Sequence, residues 1–300
     1  MNNSRIEKRY RVSDGHHFRL KDYDPADTAD FKSSDAAAER LQKDIEQMVE
    51  LQDKLYAQDR WGLLLVFQAL DAAGKDGAIK HVMSGVNPQG CEVHSFKQPS
   101  TEELNHTFLW RTMVAGPARG RISIFNRSHY EEVLVVRVHP ELLAAERLPE
   151  SLVTKHIWEE RYEDIAAYER HLSRNGIVVR KFFLYLSKSE QKKRFLARLE
   201  DSEKNWKFSA ADIRERDYWS DYMDAYEEMI KRTATPHAPW YVVPADHKWF
   251  SRLVVASVIV DTLSDLKLDY PKVSAAQQKE LEAARRKLLG GKDGDRGKRD

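Results

Sequence analysis

Leu63-Leu64-Leu65-Val66-Phe67-Gln68-Ala69-Leu70-Asp71-Ala72-Ala73-Gly74-Lys75-Asp76-Gly77 decides how this chain folds. An apolar run gives way to small residues and a Gly-Lys pair, and a helical pattern begins at Ala78. That order predicts a buried strand over 61–68, a tight turn, and a helix from about 76 to 84. Turn amides and a helix N-terminus bind phosphate oxygens, and a lysine in the turn adds a mobile positive charge. The match to G-x-x-x-x-G-K-[ST] is incomplete. Ala69 stands at the first glycine and Asp76 at the magnesium-binding hydroxyl. A methyl group at 69 fits only if that residue keeps a negative φ. Alone, the pattern leaves phosphate binding and a plain strand-to-helix turn equally open.

The flanking sequence weighs on the choice. Leu41, Ile45, Met48, Leu51 and Leu55 recur at spacings of three and four, predicting an amphipathic helix from Ser34 to about Gln58. Residues 1–33 are polar and irregular, and read as an extension that packs on the core or on another subunit. Downstream, Cys91–Phe96 alternates as a short strand. Ser100 and Glu103 form a capping box, expected to open a helix running to about Ala115. Arg121–Phe125 reads as a strand ending at Asn126-Arg127-Ser128, and 155–174 as a helix closed by Asn175-Gly176. Ile177–Leu186 and Trp240–Val243 are further strands, and a last core helix spans about 247–268. Strands alternating with helices argue for a parallel sheet covered on both faces, with ligands at the carboxyl ends of the strands. The 69–75 loop, Asn126-Arg127 and Pro244-Ala245-Asp246 all fall at such ends, which favours phosphate binding.

Of 300 residues, 41% are hydrophobic and 32% charged, enough chain for one large domain with a core. Cys91 is the only cysteine, so neither an internal disulfide nor a cysteine zinc site can form. No apolar run approaches the roughly 20 residues of a membrane span. Met1-Asn2-Asn3-Ser4-Arg5 has no signal character, so no membrane partner and a cytoplasmic location are expected. The net charge of +1 offers no general attraction to polyanions. Nucleic acid is therefore not expected as a partner, and any phosphate polymer needs a local basic groove. Gln277–Asp300 is polar and charged, and Arg285-Arg286-Lys287 reads as the solvated face of a frayed helix before a disordered tail.

The chain resembles the polyphosphate kinase 2 family from about residue 30 to about 268. The likeness is carried by Asp71–Gly77, Gly85-Val86-Asn87-Pro88-Gln89-Gly90, Phe108-Leu109-Trp110-Arg111 and Phe125-Asn126-Arg127-Ser128-His129-Tyr130-Glu131. Trp206-Lys207-Phe208, Arg214-Glu215-Arg216-Asp217-Tyr218-Trp219 and Ala238–Asp246 continue it in order. The resemblance implies an α/β fold of the P-loop nucleotide-kinase type: three αβα layers, a mainly parallel sheet and a helical lid over about 190–233. The domain then spans 34–270, between an N-terminal extension (1–33) and a charged, partly disordered tail (271–300). Many relatives restricted to nucleoside diphosphates read Asp-Arg-Ser-Trp-Tyr-Asn where this chain reads Asn126-Arg127-Ser128-His129-Tyr130-Glu131. The latter is similar to the class III pattern, implying phosphoryl transfer from inorganic polyphosphate to both AMP and ADP. Homodimers or homotetramers are implied by the same analogy.

Phosphoryl transfer needs alignment and charge neutralisation more than a strong base. Lys75 is expected to bridge donor and acceptor phosphates within the loop of Ala72, Ala73, Gly74, Asp76 and Gly77. Asp71 and Asp76 are the candidate ligands for Mg2+, with Mn2+ as a substitute, because Asn126 stands where other classes carry an acid. Arg127 is expected to clamp phosphate and Glu131 to act on the acceptor side or its metal. Lys80, Lys97, Arg111 and Arg137 are candidates for a polyphosphate path, and Arg194, Arg198, Lys204 and Lys207 for lid cations. Two other functions fit the same loop: an ATP-dependent nucleoside monophosphate kinase and a non-catalytic nucleotide- or polyphosphate-binding module.

Overall fold

The computed structural model describes residues 3–203, 205 and 209–290. The expectations for Lys204 and Lys207, all of Trp206-Lys207-Phe208, and the final ten residues fall outside them. The quoted apolar run forms β2 (Gly62–Gln68), every residue of which is buried. A strand buried on both faces reads as continuous apolar sequence because it has no solvent side. Helix α3 (Lys75–Val82) follows the turn.

Four further strands join β2: β3 (Cys91–Ser95), β4 (Ile122–Asn126), β5 (Ile177–Tyr185) and β6 (Trp240–Pro244). With the two-residue β1 (Arg11–Val12) they form one sheet in the order β1-β6-β5-β2-β4-β3. All pairings are parallel except β1 on β6, where Arg11 faces Tyr241 and Val12 faces Trp240. β2 is central, with Leu65 opposite Ile124 of β4 and Arg180 of β5. The expected αβα fold with a mainly parallel sheet is what forms.

One face carries α2 (Ser34–Gln58), α3 and α10 (Lys248–Asp265). Ser33 caps α2 by accepting the Ala36 N–H. Helix α10 buries residues on nearly every side, Phe250 to Leu263, so its sequence shows little amphipathic pattern. The other face carries α6 (Ile157–Arg174) and α9 (Trp219–Thr233), over a core that includes Phe125, Tyr130, Ile165, Phe183, Met229 and Trp240.

Three expectations change. The N-terminal extension is not irregular: α1 (Asn3–Tyr10) packs Ile6 and Tyr10 into the core, and β1 extends the sheet. The capping box exists, Glu103 accepting the Ser100 N–H and Ser100 the Glu103 N–H. It opens only a turn at Glu103–Asn105, where the Leu104 carbonyl accepts from Arg147 at 3.4 Å. Helix resumes as α4 (Trp110–Val114). The stretch 190–233 divides into α7 (Lys188–Glu200), α8 (Ala210–Glu215) and α9, and α9 belongs to the core rather than to a cover.

Contacts divide the chain into Met1–Leu268 and Asp269–Asp300. The second unit contains α11 (Ala275–Gly290), which leaves Leu281, Leu288 and Leu289 exposed. Among the described residues no helix is long and apolar enough to cross a membrane.

Candidate active site

The site follows from the strand order. After β2 the chain turns to α3 on the face of α10, whereas after β4 it turns to the opposite face through a tight turn at His129–Val133. Adjacent parallel strands whose connections leave on opposite faces open a crevice at their carboxyl ends. A cleft of about 750 Å3 occupies it, lined by residues 70–78, 95–98, 126–127 and parts of α7 and α10.

The loop of residues 69–74 is held from behind by α7. Gln191 donates to the Asp71 carbonyl at 3.0 Å. Arg194, 7% exposed, spends all five N–H donors: on Glu190, on the carbonyls of Ala72 and Ala73, and on those of Ala245 and Asp246. A trans peptide points its N–H opposite to its C=O. Carbonyls turned to α7 therefore turn the amides of Ala72 and Gly74 away from it, toward the side where the first-turn amides of α3 also lack helical partners. Ala72 and Gly74 are the left-handed residues, at φ 66° and 102°. Ala69 is not, which is why a methyl group fits at the position of the first glycine.

Lys75 begins α3, is 9% exposed, and donates to the Ala69 carbonyl at 2.6 Å. Burial lowers its pKa, opposed by Asp71, Glu131 and Asp76 and reinforced by Arg127. Arg127, in the left-handed region at φ 63°, sits between Asp71 at 3.1 Å and Glu131 at 3.4 Å. Glu131 raises the Arg127 pKa against the cost of burial, and Asp71 adds to the rise. Asp76 accepts from the Asn126 side-chain amide at 2.8 Å. The structure thus brings Asp71, Lys75, Asp76, Arg127 and Glu131 together.

The other expected cations scatter. Lys97 and Arg198 line the cleft, Arg198 lying 3.8 Å from Asp212. Arg111 donates to the Lys97 carbonyl at 2.7 Å, lies over the Phe96 ring and lines a second cavity. Lys80 is exposed on α3, and Arg137 bonds the Tyr162 hydroxyl; neither lines either cavity. Arg194 reaches the cleft wall but is committed to backbone carbonyls. Lys248 and Arg252 of α10 also line the cleft and escaped the sequence reading. Their i,i+4 spacing just after the strand end at Pro244-Ala245-Asp246 was the available signal.

The second cavity, about 380 Å3, is lined by Leu104, Phe108, Val135, Val136 and Leu142 among others. It shares Lys97, Gln98 and Arg127 with the cleft. At its wall Arg161 pairs with both Glu132 and Glu146, and burial pushes the Glu132 carboxyl up to about 8. Behind both cavities Glu169 accepts from Lys181 at 2.6 Å and from the Tyr130 hydroxyl at 2.7 Å, all three fully buried.

No group of three or more His, Cys, Asp or Glu gathers as a metal site among the described residues. Magnesium does not require one: it is commonly held by one or two carboxylates, with substrate phosphates and water completing the octahedron. Asp71 and Asp76, on a cleft whose other charged lining residues are cations, meet that requirement.

Comparison with known proteins places the chain in a family. The family model of polyphosphate kinase 2 matches residues 31–271. The chain belongs to the polyphosphate kinase 2 family. It is 51% identical over 283 residues to an ADP-polyphosphate phosphotransferase of Rhodopseudomonas palustris, covering 94% of this chain and 98% of that one. An AMP/ADP-polyphosphate phosphotransferase of Meiothermus ruber is 42% identical over 273 residues, covering 91% and 98%. The crystal structure of polyphosphate kinase 2 from Arthrobacter aurescens superposes with a TM-score of 0.84 at 37% identity, covering 95% of this chain and 97% of that one.

Proposed function

We propose that the chain is a polyphosphate-dependent nucleotide kinase that carries phosphoryl groups from inorganic polyphosphate to ADP and to AMP, reversibly. The observation that carries this reading is Arg127 standing in the wall of both cavities. One cavity is basic and open enough for a chain of phosphates. The other has the apolar wall that a nucleoside takes. An arginine at their junction touches donor and acceptor phosphates together, where transfer must occur.

Phosphoryl transfer passes through a state with charge spread over equatorial oxygens, so fixed cations aimed at that position are its main protein contribution. Lys75 supplies a desolvated ammonium with two donors left after its bond to Ala69. Loop amides hold one phosphate in register, Arg127 aligns the acceptor, and Lys97, Arg198, Lys248 and Arg252 extend the positive wall along the polymer. Asp71 and Glu131 fix the Arg127 guanidinium from both sides. Asp71 and Asp76 would hold Mg2+, or Mn2+ in its place; when bound, the ion neutralises phosphate charge that the side chains do not reach. An apolar pocket for one nucleoside beside a groove for a polymer favours a polyphosphate donor over ATP. The relatives' names differ on AMP, and Glu131 beside Arg127 supports its use here. A homodimer or homotetramer in the cytoplasm completes the reading.

The test starts from AMP, long-chain polyphosphate and Mg2+ with no ATP present. ADP and then ATP are expected, with Lys75→Ala reducing the rate at least about a hundred-fold. Product from ADP but none from AMP would overturn the AMP assignment. Binding of nucleotide and polymer without product from either would overturn the kinase assignment in favour of a binding module.

A further inference from the structure

P-loop nucleoside triphosphatases divide magnesium binding between a hydroxyl at the end of the loop and an acid at the end of the neighbouring strand. Here both positions are altered, and the alterations are complementary. The loop position carries the acid Asp76, and the end of β4, the parallel neighbour of β2, carries the neutral Asn126. The two side chains touch, Asn126 Nδ2 donating to Asp76 Oδ1 at 2.8 Å. Both line the cleft beside Lys75.

We propose that Asp76 and Asn126 are an exchanged pair, in which the metal-binding carboxylate has moved from the strand end to the first turn of α3 and Asn126 is the residue that orients it. The total charge of the two positions is that of the ordinary arrangement, one negative and one neutral group, so the cation balance of the cleft is unchanged. The amide bond engages only Oδ1 of Asp76; its Oδ2 accepts no hydrogen bond among the described residues. One oxygen is anchored and the other is available for coordination. Asn126 is itself rigid, because its backbone belongs to the β4 ladder and its carbonyl accepts from Phe96 N–H at 3.1 Å. An aspartate at 126 with Asp76 retained would set two carboxylates at hydrogen-bond distance. This explains why the strand end is an amide here.

The inference rests on the kinase reading, and a metal-binding assay separates the two. Mn2+ alone is titrated into the full-length protein and the free ion is followed by its EPR signal. Asp76→Asn is expected to weaken binding at least ~10-fold, and Asn126→Ala about 10-fold, the usual cost of losing a group that orients a ligand. The exchange Asp76→Asn with Asn126→Asp is expected to restore affinity to within ~3-fold of the unaltered protein. Unchanged Mn2+ affinity in Asp76→Asn, or in Asn126→Ala, overturns the proposal. So does an exchange variant that folds yet binds as weakly as Asp76→Asn. Should the exchange variant not fold, the two single variants decide. Failure of the unaltered protein to make ATP from ADP and polyphosphate would overturn the kinase reading and leave the Mn2+ result standing.

Discussion

Replacing Arg194 by alanine separates two roles for the same residue. In the sequence it looks like a lid cation above the phosphates. In the structure its five donors reach four main-chain carbonyls and Glu190, joining the loop after β2 to the turn after β6. Truncation strands the carbonyls of Ala72, Ala73, Ala245 and Asp246 in a buried setting. At roughly 1 kcal/mol for each, the loss is about 4 kcal/mol. For a chain of this size that lowers Tm by about 6–8 °C. Catalysis should fall as well, because the carbonyls that set the loop's amide direction are released. The assays are a thermal melt and kcat/KM for polyphosphate over a range of salt. A variant with Tm within about 2 °C of the parent and only a raised, salt-sensitive KM for polyphosphate would refute the reasoning and return Arg194 to the lid.

Two other expectations follow from buried charge. Lys181→Met leaves the buried Glu169 without its lysine and should cost about 3–5 kcal/mol, whereas Lys181→Met with Glu169→Leu should recover at least half of it by urea unfolding. Burial raises the Glu132 carboxyl to about 8, with Arg161 pulling it down and Glu146 pushing it up. Between the unfolded value of about 4.3 and about 8 the folded state binds the extra proton, so stability falls as pH rises, by up to about 1.4 kcal/mol per pH unit. Urea unfolding at several pH values should show that slope flattened in Glu132→Gln; an unchanged slope would show that Glu132 does not hold the proton.

Much of the architecture was legible because buried parallel strands advertise themselves. β2, β4, β5 and β6 are apolar runs with small or polar residues at their carboxyl ends, and those ends make the site. Lys75, Asp71 and Arg127 could be found for the same reason. What was hidden depends on distant partners. Arg194 looks like any basic helical residue until carbonyls 51 to 122 positions away come within reach. Lys248 and Arg252 are cleft residues only because α10 begins beside the loop. The helical N-terminus was masked by polar composition, since α1 buries Ile6 and Tyr10 with the charged Glu7, Lys8 and Arg9 between them.

That N-terminal segment has a consequence for how the chain reaches its folded state. The Glu7 carboxylate accepts from the Tyr241 hydroxyl across 234 positions, and β1 has no strand to pair with until β6 exists. This segment therefore cannot complete its docking before β6 is in place. Contacts so far apart carry a high loop-closure cost and slow the final step of folding. Until that step, Ile6, Tyr10 and the unpaired edge of β6 stay open to other chains, so early release or crowding on the ribosome would select for aggregation at this edge.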